Sequence, residues 1–216
     1  MRETLSSIGT PSTNTTRISS LRSALFGEGL GTPLLAIRRE GPGFCSSQVV
    51  LEVGCGAGNT VFPLLVAFPD VFVHACDFSP LAIELVKEHG AFKLDRVNAF
   101  VCDVITDDLC KMIMPGSVDV ITMIFMLSAV SPMKMSLALQ NVRNVLKPSG
   151  TLLFRDYAMG DYAQEKLAKK CQIISNNFYV RGDGTCAFYF SKVHYQPCLK
   201  EMALTLWKSV CTANRL

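Results

Sequence analysis

Three glycines at alternate positions, Gly54, Gly56 and Gly58, follow the acidic Glu52 at the end of an apolar run, residues 49–53. Such a run suits a buried parallel strand, and a helical pattern opens after Asn59. Strand, glycine turn and helix make the first crossover of a doubly wound α/β domain, which brings backbone N–H groups beside a ligand. Glycine there permits positive φ and lets a bulky ligand press against the backbone. A dinucleotide site usually reads G-x-G-x-x-G, with a pyrophosphate at the helix N-terminus. Here the spacing is G-x-G-x-G, and Glu52 would oppose a pyrophosphate while suiting a ligand that carries an ammonium and a sulfonium. S-adenosylmethionine is such a ligand; the competing reading is a glycine-rich turn with no ligand.

Polar residues recur where further strands should end. Asp77, in Ala75-Cys-Asp-Phe-Ser-Pro80, stands about 20 residues beyond the glycines, the interval at which a carboxylate accepts ribose hydroxyls. Alternatively, Asp77 or Ser79 only caps a helix that starts near Pro80. Asp103 closes Val101-Cys-Asp-Val104, where the carboxylate can take an adenine amino proton and the Val104 N–H can meet a ring nitrogen. A turn Asp is the alternative there. Ile124 and Met126 are apolar walls for the adenine or plain core. Farther on, Phe154-Arg-Asp-Tyr157 sets Arg155, Asp156 and Tyr157 together. Two aromatic runs around Gly182-Asp-Gly184 then predict a β-hairpin. Tyr179 could stack on a nucleobase and Arg181 could meet phosphate, although aromatic residues in a hairpin are more often core.

These positions need elements to hold them. Candidate strands over 49–53, 71–76, 97–102, 118–124 and 151–155 alternate with helical stretches near 60–68, 80–89, 107–112 and 133–146. That alternation means a mostly parallel, doubly wound sheet with ligands at the carboxyl ends of its strands. Residues 1–46, rich in Ser and Thr with scattered Arg, read as an organelle transit segment or a leader without an address. Residues 47–191 form the domain, and 192–216 predict one amphipathic helix. No apolar run is long enough to span a bilayer. The formal net charge is only +3, and residues 48–186 hold 12 Lys and Arg against 14 Asp and Glu. The core therefore has no basic footprint for nucleic acid. Nine scattered cysteines without a C-x-x-C pair favour a reducing compartment over a disulfide framework or a metal site. The cytoplasm is the expected location, with an organelle or the nucleus as alternatives.

The runs Leu51-Glu-Val-Gly-Cys-Gly-Ala-Gly-Asn59, Met123-Ile-Phe-Met-Leu-Ser-Ala-Val130, Leu153-Phe-Arg-Asp-Tyr157 and Asn177-Phe-Tyr-Val-Arg-Gly-Asp-Gly-Thr185 resemble the methyltransferase-like enzymes that form 3-methylcytidine in tRNA. The resemblance covers about 49–191 and implies a Rossmann-like class I methyltransferase fold. It implies S-adenosylmethionine contacts at Gly54, Asp77, Asp103, Val104 and Ile124, to which the reading of the turn itself adds Glu52, Gly56 and Gly58. For methyl transfer to cytidine N3, Arg155 and Asp156 are the expected catalytic residues, Asp156 meeting the charge of the methylated ring, with Tyr157 or Tyr179 stacking on the target and Arg181 on base or phosphate. The implied partners are tRNA and a protein such as an aminoacyl-tRNA synthetase, with no membrane. The chain departs from the pattern in lacking Trp and Tyr over 1–46, in Leu81 and Cys186 where Arg is usual, and in the tail after Ser191. The expectation is therefore a sheet without its last two strands, its fifth strand left as a bare edge. Two other functions stay open: an inactive, shortened chain, and a methyltransferase acting on a small molecule or a protein.

Overall fold

The computed structural model describes residues 48–191 and the backbone of 205–207. The expected leader and most of the tail lie outside the described residues. In chain order the elements are β1 (Val49–Val53), α1 (Val61–Ala67), β2 (Phe72–Asp77), α2 (Pro80–Glu88) and β3 (Val97–Val101). Then come β4 (Val118–Ile124), α3 (Met135–Val145), β5 (Leu146–Arg155) and α4 (Tyr162–Lys169). β6 (Ile173–Ser175), β7 (Phe178–Val180), β8 (Cys186–Phe188) and β9 (Thr205–Trp207) complete them.

The main sheet runs β3-β2-β1-β4-β5-β9, parallel throughout. Its strand order turns about β1 and β4, which puts the ligand-binding switch point at the glycine turn. Side chains alternate between two cores, as a strand period of two requires. Leu51, Val53, Ile121, Met123 and Leu152 pack with Leu139 and Val142 of α3 on one face. Val50, Val73, Ala75, Val120 and Leu153 pack with Leu64 of α1 and Ile83 of α2 on the other. Burial on both faces explains why these strands are apolar runs rather than alternating ones. α2 starts at Pro80 with Ser79 as its cap, the hydroxyl accepting from the Ala82 N–H at 3.4 Å.

Four expectations change. The stretch 107–112 makes only a 3-10 turn, Leu109–Lys111. α4 went unexpected because its apolar side is short: Leu167 and Ala168 pack, partly buried, against the Tyr179 and Tyr189 cluster, and none of its eight residues is fully buried. β5 begins at Leu146 rather than Thr151. Its register with β4 jumps from Val118↔Leu146 to Val120↔Thr151, so residues 147–150 are taken up as an irregularity instead of ending the helix as a loop. The Lys147 ammonium anchors that irregularity on Asp119 at 2.6 Å. Finally, the fifth strand is not bare and the tail is not helical at 205–207. β9 pairs with it through Thr151↔Thr205, Leu152↔Leu206 and Leu153↔Trp207. A β5 edge would otherwise offer a row of unpaired backbone groups, and that tertiary demand outweighs the tail's helical periodicity.

The aromatic hairpin forms as expected, with Phe178↔Phe188, Tyr179↔Ala187 and Val180↔Cys186 in register and β6 added outside β7. Its aromatic residues are core: Phe178, Tyr179, Phe188, Tyr189 and Phe190 are all buried. The hairpin is fastened behind β5 by an Ala158↔Phe190 bridge and by the Phe190 N–H on the Tyr157 carbonyl at 2.9 Å. Leu152 is fully buried at the centre of this assembly. Leu152→Ala should therefore cost about 2–5 kcal/mol, seen as a lower midpoint in urea unfolding.

Candidate active site

The glycine turn is held by the end of β2. The Gly54 and Cys55 N–H groups both donate to the Cys76 carbonyl, at 2.9 and 3.0 Å. The Gly56 N–H donates to Asp77 Oδ2 at 2.9 Å, and the Gly58 N–H to the Cys55 carbonyl at 2.9 Å. These four donors are thus already engaged, so the turn differs from the open nest of N–H groups that holds a pyrophosphate. Gly56 lies at φ 52° with open space where a Cβ would stand, while a Cβ on Gly58, at φ 86°, would collide with the Phe62 ring. Gly56 is the place where a ligand can approach the backbone, whereas Gly58 serves packing.

Glu52 does not face that space. It is 2% exposed, and its carboxyl hydrogen-bonds with the Thr122 hydroxyl of β4. Burial pushes its pKa up to about 8, against the pull of hydrogen bonds from Thr122 and Thr60. Thr60, which precedes α1, thereby serves Glu52 rather than capping the helix. The carboxyl braces β1 against β4 inside the fold, mostly in its neutral form at pH 7.

Asp77, by contrast, is only partly buried at the end of β2. Its Oδ1 accepts the Ser79 N–H at 2.9 Å while Oδ2 holds Gly56. Asp103 accepts the Ile105 N–H at 2.9 Å within its own turn, and the Asp103 N–H goes to Asp107 at 2.8 Å. Val104 is buried, and its carbonyl accepts from the Asn141 side chain of α3 at 3.0 Å. Asn141 also donates to the Asp107 carbonyl and accepts the Leu109 N–H. One amide side chain therefore clamps the whole β3 loop. Sequence reasoning missed it because nothing local distinguishes an Asn on a helix that reaches three backbone groups from one that faces water. Ile124, the last residue of β4, is partly exposed at the same edge. Met126 packs where a Cβ on Gly54 would lie.

On the other side of β4 the end of β5 carries a second group. The Arg155 guanidinium carbon lies 5.3 Å from the Phe125 ring centroid, and burial lowers its pKa. Phe125 and Tyr157 are 4.9 Å apart, and Arg181 from the hairpin turn lies 4.7 Å from the Tyr157 ring. Arg155, Tyr157 and Arg181, expected together, are indeed neighbours; Phe125 joins them without having been singled out. Tyr179 sits behind, 8% exposed, edge-on to Tyr189 at 5.5 Å. It supports Tyr157 through Tyr189 and presents little of itself for stacking. Asp156 is 3% exposed, accepting the Ser128 N–H at 2.8 Å and the Tyr157 N–H at 2.9 Å. Burial pushes its pKa up to about 6, against the hydrogen bonds and the Arg181 charge. At neutral pH it is an ionised group beneath the site, holding two backbone segments.

Known proteins that resemble this chain are methyltransferases. Residues 51–152 match a family model described as a methyltransferase domain. Over 142 residues the chain is 49% identical to the human tRNA N(3)-cytidine methyltransferase METTL6, covering 66% of this chain and 50% of that one. Over 155 residues it is 46% identical to the mouse tRNA N(3)-cytidine methyltransferase METTL2, covering 71% of this chain and 40% of the relative. The chain thus spans about half the length or less of these curated relatives. Among solved structures, a SAM-dependent methyltransferase from Methanosarcina mazei superposes with a TM-score of 0.56 at 20% identity, over 74% of this chain and 80% of that one. The fold is that of a Rossmann-like class I methyltransferase domain. Within that class, the domain is homologous to the tRNA N(3)-cytidine methyltransferases.

Two measurements probe the site's framework. Glu52 has a folded pKa raised above its unfolded value, so its contribution to stability is full below about 4.5 and is lost as pH rises through about 8. Over that window the wild-type chain should lose more stability than Glu52→Gln, read from urea midpoints against pH. Asn141→Ala leaves three backbone groups unpaired, and should cost about 1–3 kcal/mol with faster amide exchange at Leu109.

Proposed function

We propose that the chain binds S-adenosylmethionine at the carboxyl ends of β1 to β4 and methylates N3 of a cytidine in tRNA. The residues present fit that cofactor. Gly56 leaves space against the backbone, the engaged turn donors do not call for a phosphate, and Asp77 and Asp103 stand at successive strand ends. Asp77 would accept the ribose hydroxyls, Asp103 and Val104 would meet the adenine edge, and Ile124 would cover its face. When bound, S-adenosylmethionine supplies a methyl group activated by its sulfonium.

One observation supports the substrate class above the others. Arg155, Phe125, Tyr157 and Arg181 form one row of aromatic and guanidinium contacts, joined to the glycine turn through Met126, which follows Phe125 and packs at Gly54. Aromatic faces and guanidinium groups are what an extruded base and its phosphates require. Cytosine N3 carries a free lone pair, so the chain must position and manage charge rather than abstract a proton. The methylated ring is cationic. Asp156, ionised and shielded from water, supports that charge through space while it fixes Tyr157. Arg155 and Arg181 hold the base and phosphate. The near-neutral balance of 12 basic against 14 acidic residues over 48–186 favours added grip from a protein partner, of which an aminoacyl-tRNA synthetase is one example. Partly or fully buried Cys55, Cys76 and Cys102, whose pKa values burial raises, favour a reducing compartment, the cytoplasm first.

The test incubates the full chain with methyl-labelled cofactor and tRNA, then separates nucleosides after digestion. Label should appear in 3-methylcytidine and fall about 100-fold in Asp156→Ala. Asp77→Asn should weaken cofactor binding about tenfold in calorimetry. Label found only in a protein or a small acceptor would replace the substrate. A wild-type chain without heat of cofactor binding would end the reading altogether.

A further inference from the structure

Phe125 holds φ at 54°. Of the three described non-glycine residues at positive φ, Asn177 is of a type that tolerates that region and Cys171 follows a helix end, whereas Phe125 is bulky and follows a strand. A large aromatic there is a genuine outlier, of the kind that persists only where its surroundings over-determine it. They do so here. The Phe125 N–H donates to the Arg155 carbonyl at 2.8 Å, and Asp156 holds the Ser128 N–H three residues on. The Ala129 N–H closes back on the Met126 carbonyl at 3.0 Å. Met126 is seated on Gly54 of the glycine turn. The ring does not use this strained turn to bury itself, because Phe125 remains 39% exposed while Ile121 and Met123 of β4 are fully buried.

This strained backbone holds a large apolar ring out of the core, partly exposed against Tyr157 and Arg155. We infer that Phe125 is the stacking platform for the target base: the turn 125–128, clamped by Arg155 and Asp156, aims its ring at the methyl acceptor beside Tyr157. This rests on the proposed action on tRNA and adds a positioning residue to it. Stacking on an aromatic face tolerates any base, so Phe125 sets the plane of the acceptor ring. Arg155, 5.3 Å from its centroid, makes the same ring part of a cation–π pair. Asp156 then has a second duty, holding the strained turn in place.

The experiment uses the full chain with S-adenosylhomocysteine and an RNA hairpin that carries pyrrolocytosine, a fluorescent cytidine analogue, in its loop. Anisotropy reads RNA affinity, and quenching reads stacking of the base. The wild-type chain should bind and quench. Phe125→Leu should lose about tenfold in affinity and all quenching at saturation, with cofactor affinity unchanged; Phe125→Tyr should restore both. Phe125→Gly, which relieves the backbone, should unfold at or above the temperature of Phe125→Leu while also failing to quench. Equal quenching in Phe125→Leu, or a Phe125→Gly variant that melts below Phe125→Leu, would overturn the inference alone. A wild-type chain that binds no RNA would overturn the tRNA reading, and this inference with it.

Discussion

A parallel sheet ends, on its carboxyl side, in a row of loops whose N–H groups have lost their ladder partners. Leaving such a donor buried and unpaired costs about 1–3 kcal/mol. In this protein carboxylates at the strand ends meet that demand. Asp77 takes Gly56 and Ser79, Asp103 takes Ile105, and Asp156 takes Ser128 and Tyr157. The side chains suited to bind a ligand are therefore the same ones that shape the loops around it. Together with the backbone carbonyls of Cys55 and Cys76, which take the other donors of the glycine turn, they preorganise the crevice.

Burial then divides the acidic groups by task. Glu52 and Asp156 lie within the protein, where desolvation raises their pKa values to about 8 and about 6. One is largely neutral at pH 7 and serves as a brace between β1 and β4; the other is largely charged and serves as a fixed field under the aromatic row. Asp77 and Asp103 are partly open to solvent and keep the polarity a sugar and a purine edge would need. A gradient from buried to partly exposed carboxyls thus runs across a few strand ends.

The hairpin supplies the remaining wall. Its turn carries Arg181 onto Tyr157 because the Ala158↔Phe190 bridge fastens the aromatic strands behind β5. Phe154, Phe188 and Phe190 meet edge to face there, at 5.4 and 4.9 Å, a geometry worth more than area burial alone. On the opposite side of β5, the short β9 covers the edge that a sheet of five strands would expose. β5 is therefore supported both by the hairpin and by β9, which makes the Arg155-Asp156-Tyr157 segment a rigid base for the site.

Much of this was legible in the chain itself. Apolar runs separated by glycine, Asp and Pro punctuation define the parallel strands and their order of appearance, because burial on both faces demands such runs. Strand β4 was legible to the residue, and Asp77, Asp103 and Arg155 fall at strand ends as their local sequence implies. What tertiary structure alone decided depends on partners distant in sequence. Glu52 turned inward because Thr122, 70 residues away, receives it. Asn141 became a clamp, α4 formed on a short apolar side set against the hairpin, and β9 became a strand because an edge required one. Phe125 took a left-handed backbone because Arg155 and Asp156 hold its turn. Periodicity reports which face of an element is buried, and it carries no record of which remote backbone group a polar side chain will satisfy.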